Sequence, residues 1–180
     1  MVDSNESLLA KKVLGDIPQL TGIMWDKIKT FEDKVKGLDG AMSHQPGEEQ
    51  SEKMKQVFPL KQNLEGGLYT REIFMPKGSV VVSMIHKQDH PSFVLKGLVS
   101  YLDDKGVVRT VKGPHKIFTK IGTQRVIFVH EDTTWCGVYK TNAKTFEKAE
   151  ADVYTNNYND LPKKVIKKFK KLWQELEQVS

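Results

Sequence analysis

The chain is poor in cysteine and in long apolar runs. Cys136 is the only cysteine among 180 residues, so an intramolecular disulfide framework is excluded and a reducing, cytoplasmic compartment is favoured. No stretch approaches the roughly 18 apolar residues of a membrane-spanning helix. The first residues also lack the basic-then-apolar pattern of a secretion signal. The sequence therefore predicts a soluble intracellular protein without a transmembrane segment.

Net positive charge is scarce outside one end of the chain. The net charge is +5, and the last twenty residues, with six lysines and two glutamates, contribute +4 of it. The remainder carries only +1. Nucleic-acid-binding domains usually present a basic face of their own. The main body of the chain thus gives no strong nucleic-acid signal.

Both ends of the chain have helical periodicity. In residues 1–40 apolar residues recur at steps of three and four, which predicts two short helices separated near Pro18 and Gly22. Residues 161–180 carry an apolar stripe opposite the lysines, which predicts an amphipathic basic helix. Such a helix either packs its stripe on the rest of the protein or a second subunit, or meets a membrane, nucleic acid or an acidic protein.

The middle of the chain, residues 64–142, has the pattern of an all-β barrel. Short β-branched and aromatic runs alternate with turn residues, and no crossover helix fits between them, which argues against a parallel sheet. Residues 41–63 are predicted to be a linker and residues 143–160 a connection to the last helix. The eight predicted strands are 68–74, 79–86, 92–95, 98–102, 107–111, 116–119, 125–130 and 134–140.

Two histidines, His86 and His90, flank three polar residues within this barrel. Their neighbours are strand formers, so we predict a tight hairpin with the two Cβ atoms about 5 Å apart. Strand alternation places His86 on the same inward face as the apolar residues at positions 80, 82 and 84. An inward pair of imidazoles can ligate a transition metal or hold an anion. A hydrogen-bonded pair that closes the barrel mouth is the alternative.

Two arginines, Arg71 and Arg125, also fall on the predicted strands. Guanidinium groups bind carboxylate or phosphate through paired hydrogen bonds, so an anion clamp inside the barrel is one hypothesis. The other is a structural ion pair, because a buried charge needs a partner; the candidate partners are Glu72, Glu131 and Asp132. If clamp and ligand both exist, the pocket is lined by Tyr69, Arg71, His86, His90 and Arg125.

The spacing of these residues resembles that of the cupins. Two glycines and His86 stand where the first cupin motif requires them, while His90 occupies the glutamate position and Met84 the first-histidine position. Arg125 occupies the histidine position of the second motif, and an arginine cannot bind a cation. The resemblance therefore implies a degenerate metal site at His86 and His90, with Fe, Mn, Ni or Zn as the cofactor if one is bound.

A closer resemblance is to small cupin-like (RmlC-like) proteins of tailed phages and bacteria, which have no settled activity. It covers residues 64–142 and implies a mainly β fold: a single cupin-like antiparallel β-barrel, or jelly roll, with helical N- and C-terminal appendages. It also implies a homo-oligomer, with a dimer as the first expectation. Phage structural proteins are candidate partners, and the location is then the host cytoplasm or the virion. The matching residues are Tyr69, Arg71, Glu72, Pro76, Gly78, His86, Lys87, Leu95, Gly97, Gly122, Thr123, Arg125, Glu131, Asp132, Thr133 and Trp135.

Three functions stay open, and whether the protein is an enzyme stays open with them. The first is a small-ligand-binding protein with a degenerate metal site. The second is a phage virion or assembly accessory protein that uses the barrel as an oligomerisation scaffold. The third is a metal-dependent cupin enzyme of the oxygenase, isomerase or lyase type. The irregular metal positions favour the first over the third. An assembly role predicts that loss of Phe169 and Trp173 abolishes function while His86→Ala does not, and a pocket role predicts the reverse.

Overall fold

The computed structural model describes residues 4–20 and 22–178, and the side chains of residues 4–9 and of Glu177 fall outside that description. The outermost residues of the predicted segments 1–40 and 161–180 lie outside the described residues. The predicted fold class is confirmed: the chain is mainly β, with antiparallel strands forming a barrel and helical segments before and after it. In the described part no helix is long and apolar enough to cross a membrane.

Two long, bent strands hold the sheet together. The strands are β1 Leu60–Glu65, β2 Leu68–Met75, β3 Val80–Val82, β4 Ile85–His86, β5 His90–Leu102, β6 Val108–Lys112, β7 His115–Thr119, β8 Val126–Lys140 and β9 Tyr154–Thr155. In the described residues β4 and β9 form a separate pair, and the other strands belong to one sheet. β5 and β8 pair antiparallel along most of their length. The first half of β5 pairs with β7 and its second half with β6. Likewise, β8 pairs first with β3 and then with β2.

The bend in β5 depends on Gly97. The register between β5 and β8 shifts between Val94 and Val99, as in a β-bulge. Gly97 has φ of 96°, and a Cβ at this position would lie 2.7 Å from the Thr133 Cα. Only glycine meets both requirements without strain. The bend folds the two halves of the sheet toward one interior, where their apolar side chains form a single cluster: Met75, Val94, Val99, Tyr101, Ile127, Val129 and Trp135.

The helices of the described part are α1 Ser4–Gly15, α2 Met24–Lys36, α3 Glu52–Val57, α4 Phe146–Val153 and α5 Lys163–Glu177. Three of them, α1, α2 and α5, cover the outer face of one half of this sheet. A short 3₁₀ turn at Ile17–Gln19 and Gly22, with φ of 92°, separate α1 from α2 as predicted. The outer cluster joins these helices to β5 and β8 through Leu14, Ile17, Ile28, Leu102, Val126, Phe128 and Trp173.

Several predicted strands have different bounds in the structure. The predicted strands 92–95 and 98–102 form one strand, β5, and 125–130 and 134–140 form β8, because bulged pairing continues across the turn-like residues between them. The predicted strand 79–86 is divided into β3 and β4. α3 and most of β1 lie in the stretch 41–63 predicted as a linker, and α4 lies in the predicted connection. These elements are too short to show a clear period in the sequence.

The apolar stripe of α5 faces the protein. Trp173 is 5% exposed within the outer cluster, and Phe169 stacks on Trp25 with ring centroids 4.5 Å apart. The lysines lie on the exposed side of the helix. Of the two interpretations of this helix, packing on the body of the protein is the one observed. Substitutions in the stripe therefore report on stability and do not isolate an assembly role.

We expect Trp173→Ala to lower the free energy of unfolding by about 3–5 kcal/mol, the usual cost of truncating a buried tryptophan. Lys168→Ala, on the exposed side of the same helix, is the matched control and should change it by less than about 0.5 kcal/mol. Urea unfolding of the two variants measures both values. Similar small losses in both would contradict the packing of α5 described above.

Candidate functional site

A cavity of about 780 Å³ lies inside the barrel and extends to the segment between α2 and α3. Its volume is in the range of small-molecule binding sites. Part of its wall is apolar, formed by Ile73, Met75, Val81, Ile127 and Trp135. Its polar lining includes Arg71, His86, Arg125, Tyr139 and Tyr154. The cavity thus combines an apolar surface with a few converging polar groups.

Strand alternation explains why these residues share the cavity. Arg71, Ile73 and Met75 occupy alternate positions of β2 and so point to one face of the sheet. Trp135, Gly137 and Tyr139 do the same on β8. A Cβ on Gly137 would collide with the Tyr139 ring. The glycine therefore leaves the space that lets the Tyr139 side chain lie along the strand.

The five predicted pocket residues separate into two groups. Arg71, His86 and Arg125 line the cavity. Tyr69 and His90 pack instead against the ring of Tyr139, with centroid distances of 5.9 and 4.1 Å. The Tyr69 hydroxyl accepts a hydrogen bond of 2.6 Å from the side-chain amide of Gln62. Tyr69 and His90 thus support the cavity wall from behind.

His86 and His90 lie together, but not across a hairpin. Their ring centroids are 4.6 Å apart, yet β4 pairs with β9 and not with β5. The predicted hairpin is therefore wrong. The prediction that residues 80, 82, 84 and 86 share one inward face is also wrong. Val81, not Val82, packs into the interior cluster, and Val82 packs against the helices. Ser83 then interrupts the strand.

The two imidazoles differ in their hydrogen bonds. His90 Nδ1 donates to the Gln88 carbonyl at 3.1 Å, which leaves Nε2 of the neutral ring to accept from the Ser92 hydroxyl at 3.1 Å. In contrast, His86 Nδ1 is buried without a hydrogen-bond partner. Burial lowers the pKa of His90 to about 4. Burial, followed by the neighbouring His90, lowers the pKa of His86 well below its ordinary value. Both rings are therefore neutral at pH 7.

Acid should destabilise the protein through these rings. Since their folded-state pKa values lie below the value of about 6.5 in the unfolded chain, the unfolded state binds more protons between the two values. The free energy of unfolding is expected to fall as the pH drops from about 6.5 toward 4. His90→Asn should flatten this dependence, and the exposed His115→Gln should not. Urea unfolding at a series of pH values provides the measurement, and equal slopes in all three proteins would refute the assignment.

These residues do not fit a transition-metal centre. Within the part of the chain that the structure describes, no group of three or more histidine, cysteine, aspartate or glutamate side chains is placed to hold a metal. Both ring nitrogens of His90 already have protein partners, and the charge of Arg125 acts on His86. His130 is 2.8 Å from the Ser100 hydroxyl, beside the ring of Phe128. Metal binding at His86 and His90 stays a prediction that this geometry does not favour.

Arg71 has an ion-pair partner that the sequence did not indicate. Its Nε lies 3.1 Å from Glu150 Oε1, and Glu150 is 79 residues away on α4. The other oxygen of Glu150 accepts hydrogen bonds from His44 Nε2 and the Gly47 amide, each of 3.1 Å. The predicted partners are wrong for Arg71: the side chains of Glu72, Glu131 and Asp132 contact Lys61, Lys112 and the Lys77 amide.

Arg125 is buried in a different way. It is 6% exposed, with its guanidinium 5.3 Å from the Tyr101 ring and 5.9 Å from the Trp135 ring. Among the described residues no carboxylate lies within ion-pair distance of it, and its Nε is buried without a hydrogen-bond partner. Asp104 acts on it electrostatically, but burial raises the pKa of that carboxyl, which accepts its hydrogen bond from Thr123.

Four residues of this region carried no signal, or only a weak one, in the sequence. His44 and Glu150 lie in stretches predicted as linker and connection, and Tyr154 follows α4 on β9. Tyr139 occupies the last predicted strand. The hydroxyls of Tyr139 and Tyr154 form a hydrogen bond within the cavity wall. Contacts over such sequence separations leave no local periodicity, so a single sequence offers no means of finding them.

No protein-family model and no curated protein matches this chain. Solved structures that resemble it include a cupin domain of an XRE-family transcriptional regulator from Enterobacter cloacae, with a TM-score of 0.41 and 12% identity over 49% of this chain and 100% of that one. KdgF from Halomonas sp. has a TM-score of 0.42 and 13% identity over 48% and 82%. The cupin domain of Cnp3 from Schizosaccharomyces pombe has a TM-score of 0.38 and 15% identity over 47% and 64%.

Proposed function

We propose that this chain is a cupin-like small-ligand-binding protein whose barrel cavity binds an anion at Arg125. One observation carries the proposal: the guanidinium of Arg125 is buried at the cavity, and its Nε has no hydrogen-bond partner. A buried charge without a partner costs several kcal/mol. An anionic ligand would supply both the missing charge and the missing acceptor.

Arg71 has a different role in this proposal. Glu150 already neutralises it, and the two groups lie 3.1 Å apart with side chains 11% and 5% exposed. The sequence-based hypothesis of a clamp with two arginines is thereby narrowed to one anion-binding arginine and one structural arginine. Arg71 then fixes the wall beside Tyr154, whose ring lies 5.5 Å from its guanidinium.

The test follows the indole Nε1–H signal of Trp135, whose ring lines the cavity 5.9 Å from the Arg125 guanidinium, by ¹⁵N-edited NMR during titration with butyrate at constant ionic strength. We expect a saturable shift with butyrate and none with the neutral isostere butyramide. Arg125→Met should abolish the saturable response. Arg109→Met is the matched control, because Arg109 is exposed and pairs with Asp103 at 3.0 Å. No saturable response in the unsubstituted protein, or an equal response in Arg125→Met, would overturn the proposal.

The metal-dependent enzyme and the phage assembly role stay predictions from the sequence. The metal-dependent enzyme needs ligands that the cavity does not bring together among the described residues. The link to phages, the homo-oligomer and the virion location are expectations from the sequence resemblance, and the cytoplasmic location is an expectation from the single cysteine. A metal analysis of untagged protein remains the direct check of the enzyme alternative, with His86→Ala/His90→Ala as its control.

A further inference from the structure

The charges around the cavity limit the charge of the ligand. Arg71 and Glu150 form a buried ion pair and cancel each other. Arg125 is left as a single buried positive charge without an ion-pair contact among the described residues, and the nearby Asp104 already opposes part of it. Among the described residues that line the cavity, a second negative charge on a ligand would find no buried cation that is not already ion-paired, and it would meet the desolvation cost of an unpaired ion. A monoanion therefore matches the cavity better than a dianion.

The apolar wall of the cavity favours a ligand whose body is also apolar. The side chains of Ile73, Met75, Val81, Ile127 and Trp135 line the same cavity as Arg125, and the Trp135 ring lies 5.9 Å from its guanidinium. Filling this surface with methylene groups removes apolar area from water on both sides, which favours binding. A strongly hydrated anion such as inorganic phosphate gains nothing from this wall and loses its hydration. A carboxylate attached to an apolar body uses the wall and the guanidinium together.

A second unpartnered group lies on the segment adjacent to Arg125. The Ser83 amide donates to the Arg125 carbonyl at 2.8 Å, and the His86 amide donates to the Thr123 carbonyl at 3.0 Å, so the two segments run side by side. His86 lines the same cavity, and its Nδ1 is buried without a partner. A neutral imidazole nitrogen accepts from a hydroxyl or donates to a carbonyl, according to its tautomer.

We infer that the ligand is a monocarboxylic acid with a short apolar body and one hydroxyl or carbonyl group, held at its carboxylate by Arg125 and at its second polar group by His86. This inference rests on the proposed anion-binding function and adds the class of ligand to it. Each feature of the ligand matches one group of the cavity. The carboxylate pairs with the guanidinium of Arg125, the apolar body packs on the apolar wall, and the second polar group forms a hydrogen bond with His86 Nδ1.

The experiment compares six-carbon probes by isothermal titration calorimetry with the full chain: hexanoate, hexanamide, adipate, and hexanoates with a hydroxyl at carbon 2, 3 or 6, together with inorganic phosphate. We expect hexanoate to bind at least about tenfold more tightly than hexanamide, adipate or phosphate, since a missing or surplus buried charge costs more than 1.4 kcal/mol. At least one hydroxyhexanoate should bind about three- to tenfold more tightly than hexanoate, the gain expected of one added hydrogen bond.

Two variants separate the parts of the inference. His86→Phe should remove the advantage of the hydroxyl while hexanoate still binds, and His86→Leu serves if the phenylalanine variant does not fold. Tighter binding of adipate or phosphate than hexanoate, lost in Arg125→Met, overturns the monocarboxylate class but leaves anion binding intact. A hydroxyl advantage that is absent in the unsubstituted protein, or that survives in either folded His86 variant, overturns the role of His86. Absence of any Arg125-dependent binding overturns this inference and the proposed function together.

Discussion

Arg125→Met is expected to raise the free energy of unfolding of the ligand-free protein by about 1–3 kcal/mol while it abolishes anion binding. The change in stability is the difference between the burial cost of the charge and the attraction of the guanidinium to two aromatic rings. Burial of a guanidinium without an ion pair costs several kcal/mol, whereas its contacts with the rings of Tyr101 and Trp135 contribute about 2 kcal/mol when desolvated. Methionine fills a similar volume and packs against the same two rings. The cost removed is therefore larger than the attraction lost.

Urea unfolding and hexanoate titration on the same protein samples measure both effects. Arg109→Met is the control for a general effect of removing an arginine, and its unfolding free energy should change by less than about 1 kcal/mol, since its ion pair is exposed. A loss of more than about 2 kcal/mol in Arg125→Met would mean that Arg125 has an effective internal partner. In that case the charge of Arg125 is structural, as in the ion-pair hypothesis from the sequence.

The features that could be predicted from the sequence are those that depend only on residues close together in the chain. The break between α1 and α2 near Pro18 and Gly22 follows from single residues with distinctive conformational preferences. The antiparallel barrel follows from strand-length apolar runs separated by turn residues. The stripe of α5 follows from its period. Each of these signals is local, so each appears in the sequence without knowledge of the partners.

The site is predictable only in part, because its chemistry depends on contacts between distant segments. His86, Arg71 and Arg125 were identified by residue type and strand position, and all three line the cavity. Which arginine is neutralised depends on Glu150, which lies on α4 outside the predicted barrel. The position of His86 depends on β9, a strand of two residues. The distinction between a structural and a ligand-binding arginine is therefore visible only in three dimensions.

Glu150→Gln is expected to lower the free energy of unfolding by about 3–5 kcal/mol, because it leaves the guanidinium of Arg71 buried without its counter-charge. Glu150 also accepts hydrogen bonds from His44 and the Gly47 amide. It thus joins β2, α4 and the segment between α2 and α3. Glu147→Gln, one turn earlier on α4 and exposed, is the matched control and should change the free energy by less than about 0.5 kcal/mol.

The double variant Glu150→Gln/Arg71→Met distinguishes loss of a charge pair from general disruption of α4. If the cost of Glu150→Gln arises from the unpaired Arg71, removing that charge as well should recover most of the stability. If the double variant is as unstable as the sum of the two single variants, the ion pair has no coupling energy and the interpretation fails.

The contribution of Glu150 to the free energy of unfolding depends on pH with a defined sign. Burial alone would raise the pKa of Glu150, but the hydrogen bond from His44 and the charge of Arg71 outweigh it and hold that pKa below the ordinary glutamate value. A carboxyl with a lowered pKa contributes stability that is present above its unfolded pKa and is lost as the pH falls through its folded pKa. In the unsubstituted protein we therefore expect a further loss of stability below about pH 4.3, which Glu150→Gln should remove.

The same variant should also change the preference among ligands. With Glu150 replaced by a neutral amide, Arg71 becomes a second buried cation at the cavity that Arg125 shares. Adipate should then gain affinity relative to hexanoate by about tenfold or more, as one additional ion pair replaces the internal one. Glu147→Gln should leave the ratio unchanged. An adipate-to-hexanoate ratio that does not move in Glu150→Gln would show that the charge of Arg71 does not reach the bound ligand, and that Glu150 sets stability without setting ligand charge.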